Sequence, residues 1–151
     1  MALQAIITLF QRDLSRLKKE ISLYHNEHKI WCVENEIPNS AGNLCLHLVG
    51  NLNSFIGNVL GHTGYQRQRE QEFQRKDIPR AELIQMVDDT IKVVTKALEN
   101  LDENDLQNEY PVQVFEKKTS TEFFLIHLTT HLGYHLGQIN YHRRLLDAAS
   151  N

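Results

Sequence analysis

Residues 119–148 read TSTEFFLIHLTTHLGYHLGQINYHRRLLDA, and this stretch decides the fold class. Phe124, Leu128, Leu132, Ile139, Leu145 and Leu146 fall in one arc of a helical wheel, the pattern of a helix that buries one face. Thr119, Ser120 or Thr121 can supply the N-cap, and Glu122 can close a capping box with Thr119. Only Gly133 and Gly137 weigh against a helix running from there to about Ala148. Both glycines point away from the apolar arc and are expected to lie under a close neighbouring element. At ~100° per residue, His127, His131, His135 and His142 span only ~80° of that same arc. The histidines are therefore expected to face the core rather than solvent.

Working outward, three more segments carry a helical code. Leu3, Ile7, Phe10, Leu14, Leu17, Ile21 and Tyr24 repeat at alternating steps of four and three, predicting one long helix ending near Lys29. A loop from Glu34 to Gly42 follows, with Ser40 as N-cap of a second helix over about Ala41–Leu60. Its stripe is Leu44, Leu48, Leu52, Phe55, Ile56 and Val59, and Gly61 and Gly64 stop it. Pro79 opens a third helix at a first-turn position, with Ile84, Val87, Ile91, Val94, Leu98 and Leu101 in register. The connector 61–78 lacks sustained periodicity. The connector from Asp102 to about Thr119 holds one alternating piece, Val112 to Phe115, that reads as a stray strand. The expectation is an all-α protein, a four-helix bundle with long connectors, forming one domain over 1–151. A connector as long as 61–78 can run the length of a bundle and leave the helices it joins parallel.

Composition excludes several function classes. The chain has 151 residues, a formal charge of −3 and charged residues at 23%, ordinary values for a folded globular protein. An acidic balance weighs against nucleic acid, which selects a basic face. No apolar run approaches the ~20 residues of a membrane span. Gln4, Gln11, Arg12 and Asp13 interrupt residues 1–14, so no signal peptide is visible. The two cysteines, Cys32 and Cys45, are too few for a disulfide scaffold, and a reducing, cytoplasmic location is expected. Cys45 is expected to face away from His47. No P-loop, dinucleotide fingerprint or Gly-x-Ser-x-Gly elbow is present.

The unusual number is eight histidines. Imidazoles buried in one stripe are costly unless they are hydrogen-bonded or bound to something. His131 and His135, four residues apart, stack two imidazoles on one face, the helical geometry for two ligands of one metal. His127 and His142 share the arc, so position alone leaves the choice among the four open. A third ligand must come from His25, His28, His47 or His62; His47, near the border of the second helix's apolar stripe, is the best placed. Asn51 or Gln138 can orient an imidazole. The connector's Arg67, Arg69, Arg75 and Lys76 face Glu70, Glu72 and Asp77, which reads as a self-paired loop. The sharper alternative is that Arg67 or Arg69 clamps a substrate carboxylate.

The run His131-Leu-Gly-Tyr-His135-Leu-Gly-Gln138 resembles the His-x-x-x-His-x-Gly-Gln signature of the DinB/YfiT-like superfamily. Asn43-Leu-Cys-Leu-His47-Leu-Val-Gly-Asn51 resembles that superfamily's first metal-binding helix, and Gly64-Tyr65 with Arg67 and Arg69 resembles a subfamily of unknown function. The resemblance implies the superfamily's bundle topology, with 61–78 crossing between parallel helices. It implies His47, His131 and His135 as ligands of one divalent ion, zinc or nickel foremost, in an open site. His127 and His142 match no ligand position and are assigned to supporting or core roles. Some relatives transfer low-molecular-weight thiols, so thiol transfer to a small electrophile is the implied reaction, with hydrolysis as a variant. The contrasting reading is a non-catalytic metal-binding, structural or sensing module, with His127, His142 or a carboxylate closing the site as fourth ligand. Tyr134 or His142 is the candidate general base. The expected partners are a small-molecule thiol or electrophile and a second copy in a homodimer, with no nucleic acid and no membrane.

Overall fold

Helical periodicity governs the architecture, as a computed structural model describing residues 1–148 makes plain. The helices are α1 (Ala2–Ser22), α2 (Ala41–Leu52), the short α3 (Arg69–Gln74), α4 (Arg80–Glu99) and α5 (Thr121–Leu146). A π-helical turn, Asn53–Asn58, prolongs α2, and 3₁₀ turns occupy Glu27–Trp31 and Glu103–Gln107. Among the described residues there is no β-strand; Glu109 and Ser120 form one isolated bridge. Val112 to Phe115, expected as a strand, is irregular because Val112 and Val114 are about half exposed and nothing pairs with them.

Helices α1 and α2 each pack against both α4 and α5. Side-chain contacts give the directions. Lys18 pairs with Asp88 at 3.0 Å and Gln11 with Thr95 at 3.3 Å, so α1 and α4 are antiparallel. Asn53 donates to Thr90 at 2.9 Å and Gly57 lies against Val93, so α2 and α4 run the same way. His47 meets His131 while Phe55 meets Phe124, so α2 and α5 are antiparallel. The core between them is built from Phe10, Leu14 and Leu17 of α1, Leu48 and Leu52 of α2, Leu83 of α4 and Leu128 and Leu132 of α5.

The boundaries show where tertiary packing overrides periodicity. Helix α1 stops at Ser22, a turn or more before Lys29. Asp147, just past α5, accepts the backbone N–H groups of His25 and Asn26, and the chain turns to bury Ile30. Trp31 then lies on Gly42, where a Cβ would come within 2.6 Å of the indole. Ser40 caps α2 through Asn43 N–H at 3.1 Å, as expected. Pro79 is the N-cap of α4 rather than its first residue. On α5 the cap is Ser120, bonded to Phe123 N–H at 3.1 Å. No box forms with Thr119, because the Glu122 carboxylate is turned to Gln107. Helix α5 ends at Leu146, with Leu145 69% exposed rather than in the apolar arc. Gly133 and Gly137 face open space, with nothing within 4 Å of an added Cβ, so no element lies over them.

No helix among the described residues is long and apolar enough to cross a membrane.

Candidate metal centre

The antiparallel pairing of α2 and α5 sets His47 opposite the i, i+4 pair His131 and His135. One ring nitrogen from each lies within 4.8 Å of the others. His47 Nε2 and His131 Nε2 are 3.2 Å apart. Among the described residues no other His, Cys, Asp or Glu joins this group. His47 is 6% exposed, while His131 and His135 are half-buried.

Partners on the far side of two rings determine where their protons sit. His47 Nδ1–H donates to Glu72 Oε1 at 3.0 Å, which leaves Nε2 as a lone pair facing His131. His135 Nδ1–H donates to Gln138 Oε1 at 2.7 Å, which leaves its Nε2 free as well. His131 Nδ1 is buried without a partner. Burial pushes the His131 imidazole down to about 4, with the neighbouring imidazoles of His135, His47 and His127 and the Arg67 charge adding to the effect. Burial also lowers His135, against the opposing pull of its bond to Gln138. His131 and His135 are therefore neutral at pH 7, the form in which imidazole is a metal ligand.

Glu72 comes from α3, inside the connector that lacks periodicity. Its carboxylate is 6% exposed. Burial alone would raise its pKa, but hydrogen bonds from His47 and Arg67 outweigh burial and hold it below the usual carboxylate range. Arg67 grips it with two bonds, Nε to Oε2 at 2.9 Å and Nη2 to Oε1 at 3.0 Å. Arg67 is thus committed to Glu72 rather than free for a substrate carboxylate, and Arg69 lies over the Phe73 ring at 5.5 Å. Asn43 Nδ2 ties α3 to the first turn of α2 by donating to Glu72 O and Arg75 O, each at 2.9 Å. Gly50 makes the room: a Cβ there would run into the Glu72 carboxylate. The sequence alone carries one trace of this arrangement, the Arg67/Glu72 charge pair; nothing in it marks Gly50.

The remaining sequence candidates fall elsewhere. His142 is 3% exposed and hydrogen-bonds Tyr24 Oη through Nδ1 at 2.6 Å and Cys32 O through Nε2 at 2.8 Å. It is a satisfied core residue, away from the cluster. His127 packs edge-on against Phe115, with centroids 4.8 Å apart. His25, His28 and His62 are exposed. Asn51 bonds no imidazole; its Oδ1 is buried without a partner. Cys45 is fully buried, outside the group, and burial pushes its thiol up to about 12. Cys32 is half-buried. Tyr134 is 67% exposed beside the His135 ring. A cleft of about 490 Å³ opens next to His135, lined by Ile37, Pro38, Leu44, Tyr134, Gln138 and Leu145 among others. Neither a Lys nor an Arg lines it.

Residues 2–150 match the family described as "Protein of unknown function (DUF1572)". The chain belongs to the DUF1572 family. No curated protein matches it.

Proposed function

We propose that this DUF1572 protein binds one divalent metal ion, zinc or nickel, through His47, His131 and His135, and uses it as an open catalytic site. The observation that carries this reading is the convergence of three imidazoles with no fourth donor among the described residues. The spacing fits the group: Zn–N bonds of about 2.0–2.1 Å at a tetrahedral angle set ligand nitrogens about 3.3 Å apart, against 3.2 Å between His47 and His131. Three protein ligands and a vacant position are the pattern of catalytic rather than structural zinc.

A divalent ion held there would supply Lewis acidity, bringing the pKa of water toward about 7 or turning a thiol into its thiolate. The chain's own contributions are orientation and exclusion. Glu72, held by Arg67, fixes the tautomer and orientation of His47, and Gln138 does the same for His135. The cleft beside His135 would receive a small molecule against Leu44, Tyr134 and Leu145. Tyr134, exposed beside His135, is the better placed candidate for moving a proton, since both ring nitrogens of His142 are occupied.

The resemblance to DinB/YfiT-like thiol transferases makes transfer of a low-molecular-weight thiol to an electrophile the proposed reaction, with hydrolysis as its variant. The parallel course of α2 and α4 supports the corresponding four-helix-bundle topology. A closed four-ligand site would favour the contrasting non-catalytic module; His127 packs on Phe115, while the donors of His142 and Glu72 are engaged elsewhere. Turnover of metal-loaded protein against a panel of electrophiles with several thiols tests the reading. Metal-dependent turnover lost in His131→Ala supports it; metal binding without turnover on any thiol or ester leaves only the module.

A further inference from the structure

Helix α5 separates two grooves of opposite character. On its α1 side, Arg12, Arg16, Lys19 and Arg144 line a basic groove. Arg143 lines it too, held there by Glu20 at 2.8 Å, and Arg144 bonds back to Asn140 at 3.0 Å. On the other side lies the cleft of about 490 Å³ beside His135, a volume that suits a small molecule. One charged side chain lines this cleft, the carboxylate of Glu36. Both arginines of the last turn of α5 thus serve the α1 side, and the side that reaches the histidines is left without a cation.

The rest of the lining is mainly apolar and aromatic. Tyr134 and Tyr141 stand seven residues apart, so both rings rise from one face of α5, about 10 Å apart along its axis. The loop before α2 supplies Ile37 and Pro38. That loop is pinned at both ends, by the bond from His142 to Cys32 O at 2.8 Å and by the Ser40 cap of α2, so the cleft is formed before a ligand arrives. Glu36 is exposed, and no Lys or Arg among the described residues pairs with it. A concave site lined by one sign of charge attracts the opposite sign. Tyrosine faces add to this, because their quadrupole attracts a cation and their area stacks on flat apolar bodies. An anion entering the cleft would meet Glu36 and no compensating charge. We propose that the cleft selects a small molecule with a flat apolar body and a positively charged amine, the amine at Glu36 and the body against Tyr134, Ile37 and Pro38. The inference rests on the reading of this cleft as the substrate's approach to the histidine cluster, and it names the class of small molecule which that reading leaves open.

Three probes with one phenylethyl body test it: 2-phenylethylammonium, 2-phenylethanol and 3-phenylpropanoate. Titration of the full-length, chelator-stripped protein, followed by amide NMR shifts, compares them with no metal to hold the carboxylate. The ammonium is expected to bind at least tenfold more tightly than the propanoate, with the alcohol between them. It should shift the amides of Ile37, Tyr134 and Gln138 rather than those of Arg12 and Arg16. Glu36→Gln changes an exposed, unpaired side chain, so the helical circular dichroism spectrum should be retained while the ammonium falls to within twofold of the alcohol. Tyr134→Ala should weaken the ammonium and the alcohol alike. Zinc titration of the same samples keeps the two readings apart. An ammonium that binds no better than the propanoate, a preference unchanged by Glu36→Gln, or shifts confined to the α1 groove overturns the inference even where zinc binds. Zinc that fails to bind while the Glu36-dependent preference persists overturns the metal reading and supports the selectivity of the cleft.

Discussion

His131 and His142 lie about three turns apart on α5, within ~20° of each other on its wheel, yet they do opposite things. His142 has Tyr24 Oη on one nitrogen and Cys32 O on the other, so its ring is complete within the core. His131 faces His47 Nε2 across 3.2 Å and leaves Nδ1 unpartnered. Both are desolvated, and burial lowers both imidazoles. The difference lies in what the neighbouring elements bring. The segment after α1 brings a hydroxyl and a carbonyl to His142. Helix α2 brings another imidazole to His131. A buried histidine becomes a ligand candidate when the fold leaves its lone pair facing other lone pairs instead of a donor.

Substitution separates the two sites, and the largest effect is expected within the cluster. His47→Ala, His131→Ala or His135→Ala should each weaken zinc binding roughly a hundredfold or more, about 2.7 kcal/mol, read by calorimetric titration. His142→Ala should leave zinc affinity within twofold while lowering stability by about 2–3 kcal/mol in urea, because the buried Tyr24 hydroxyl loses its partner. If His142→Ala empties the site and His131→Ala does not, the contrast is reversed. Glu72→Gln should weaken zinc about tenfold to a hundredfold, as loss of an orienting carboxylate does. Gly50→Ala should drive the Glu72 carboxylate from its place and lower stability by about 1–3 kcal/mol, with a loss of metal affinity resembling that of Glu72→Gln. The smallest effect is expected for Gln138→Ala, a few-fold loss of affinity, because His135 and Gln138 are the more exposed pair.

Acid acts on both sites in one direction. His131 and His142 have imidazoles lowered on folding, so the unfolded chain binds more protons as pH falls below the ordinary imidazole range near ~6.5. Stability of the metal-free protein should therefore be full above about pH 6.5 and decline as pH falls toward about 4, where His131 titrates. Urea midpoints across pH 4–8 measure this. The His142→Ala variant should show a shallower decline, and an unchanged slope would remove His142 from the account.

The four long helices were legible because a step of three or four between apolar residues is a direct readout of burial. Their ends were not. Asp147 holds the backbone just after α1 through contacts made far along the chain, and Ser54–Val59 adopts i to i+5 bonding next to Gly57, which lies against Val93. At the site, the His131/His135 spacing was legible, and so was Gln138 one turn along. Periodicity could not separate His142 from them, because all lie in one arc and only the partners differ. Glu72 was hidden within a charged connector, where a carboxylate looks like solvated surface until α3 folds it under Gly50.

The central claim is that three imidazoles and no fourth side chain form one metal site. Elemental analysis with zinc titration of untagged, chelator-stripped protein tests it most directly. One divalent ion per chain is predicted, with the His47→Ala/His131→Ala/His135→Ala protein binding none at the same loading. Absence of saturable binding by the wild type, or one ion per chain retained by the triple variant, would contradict it.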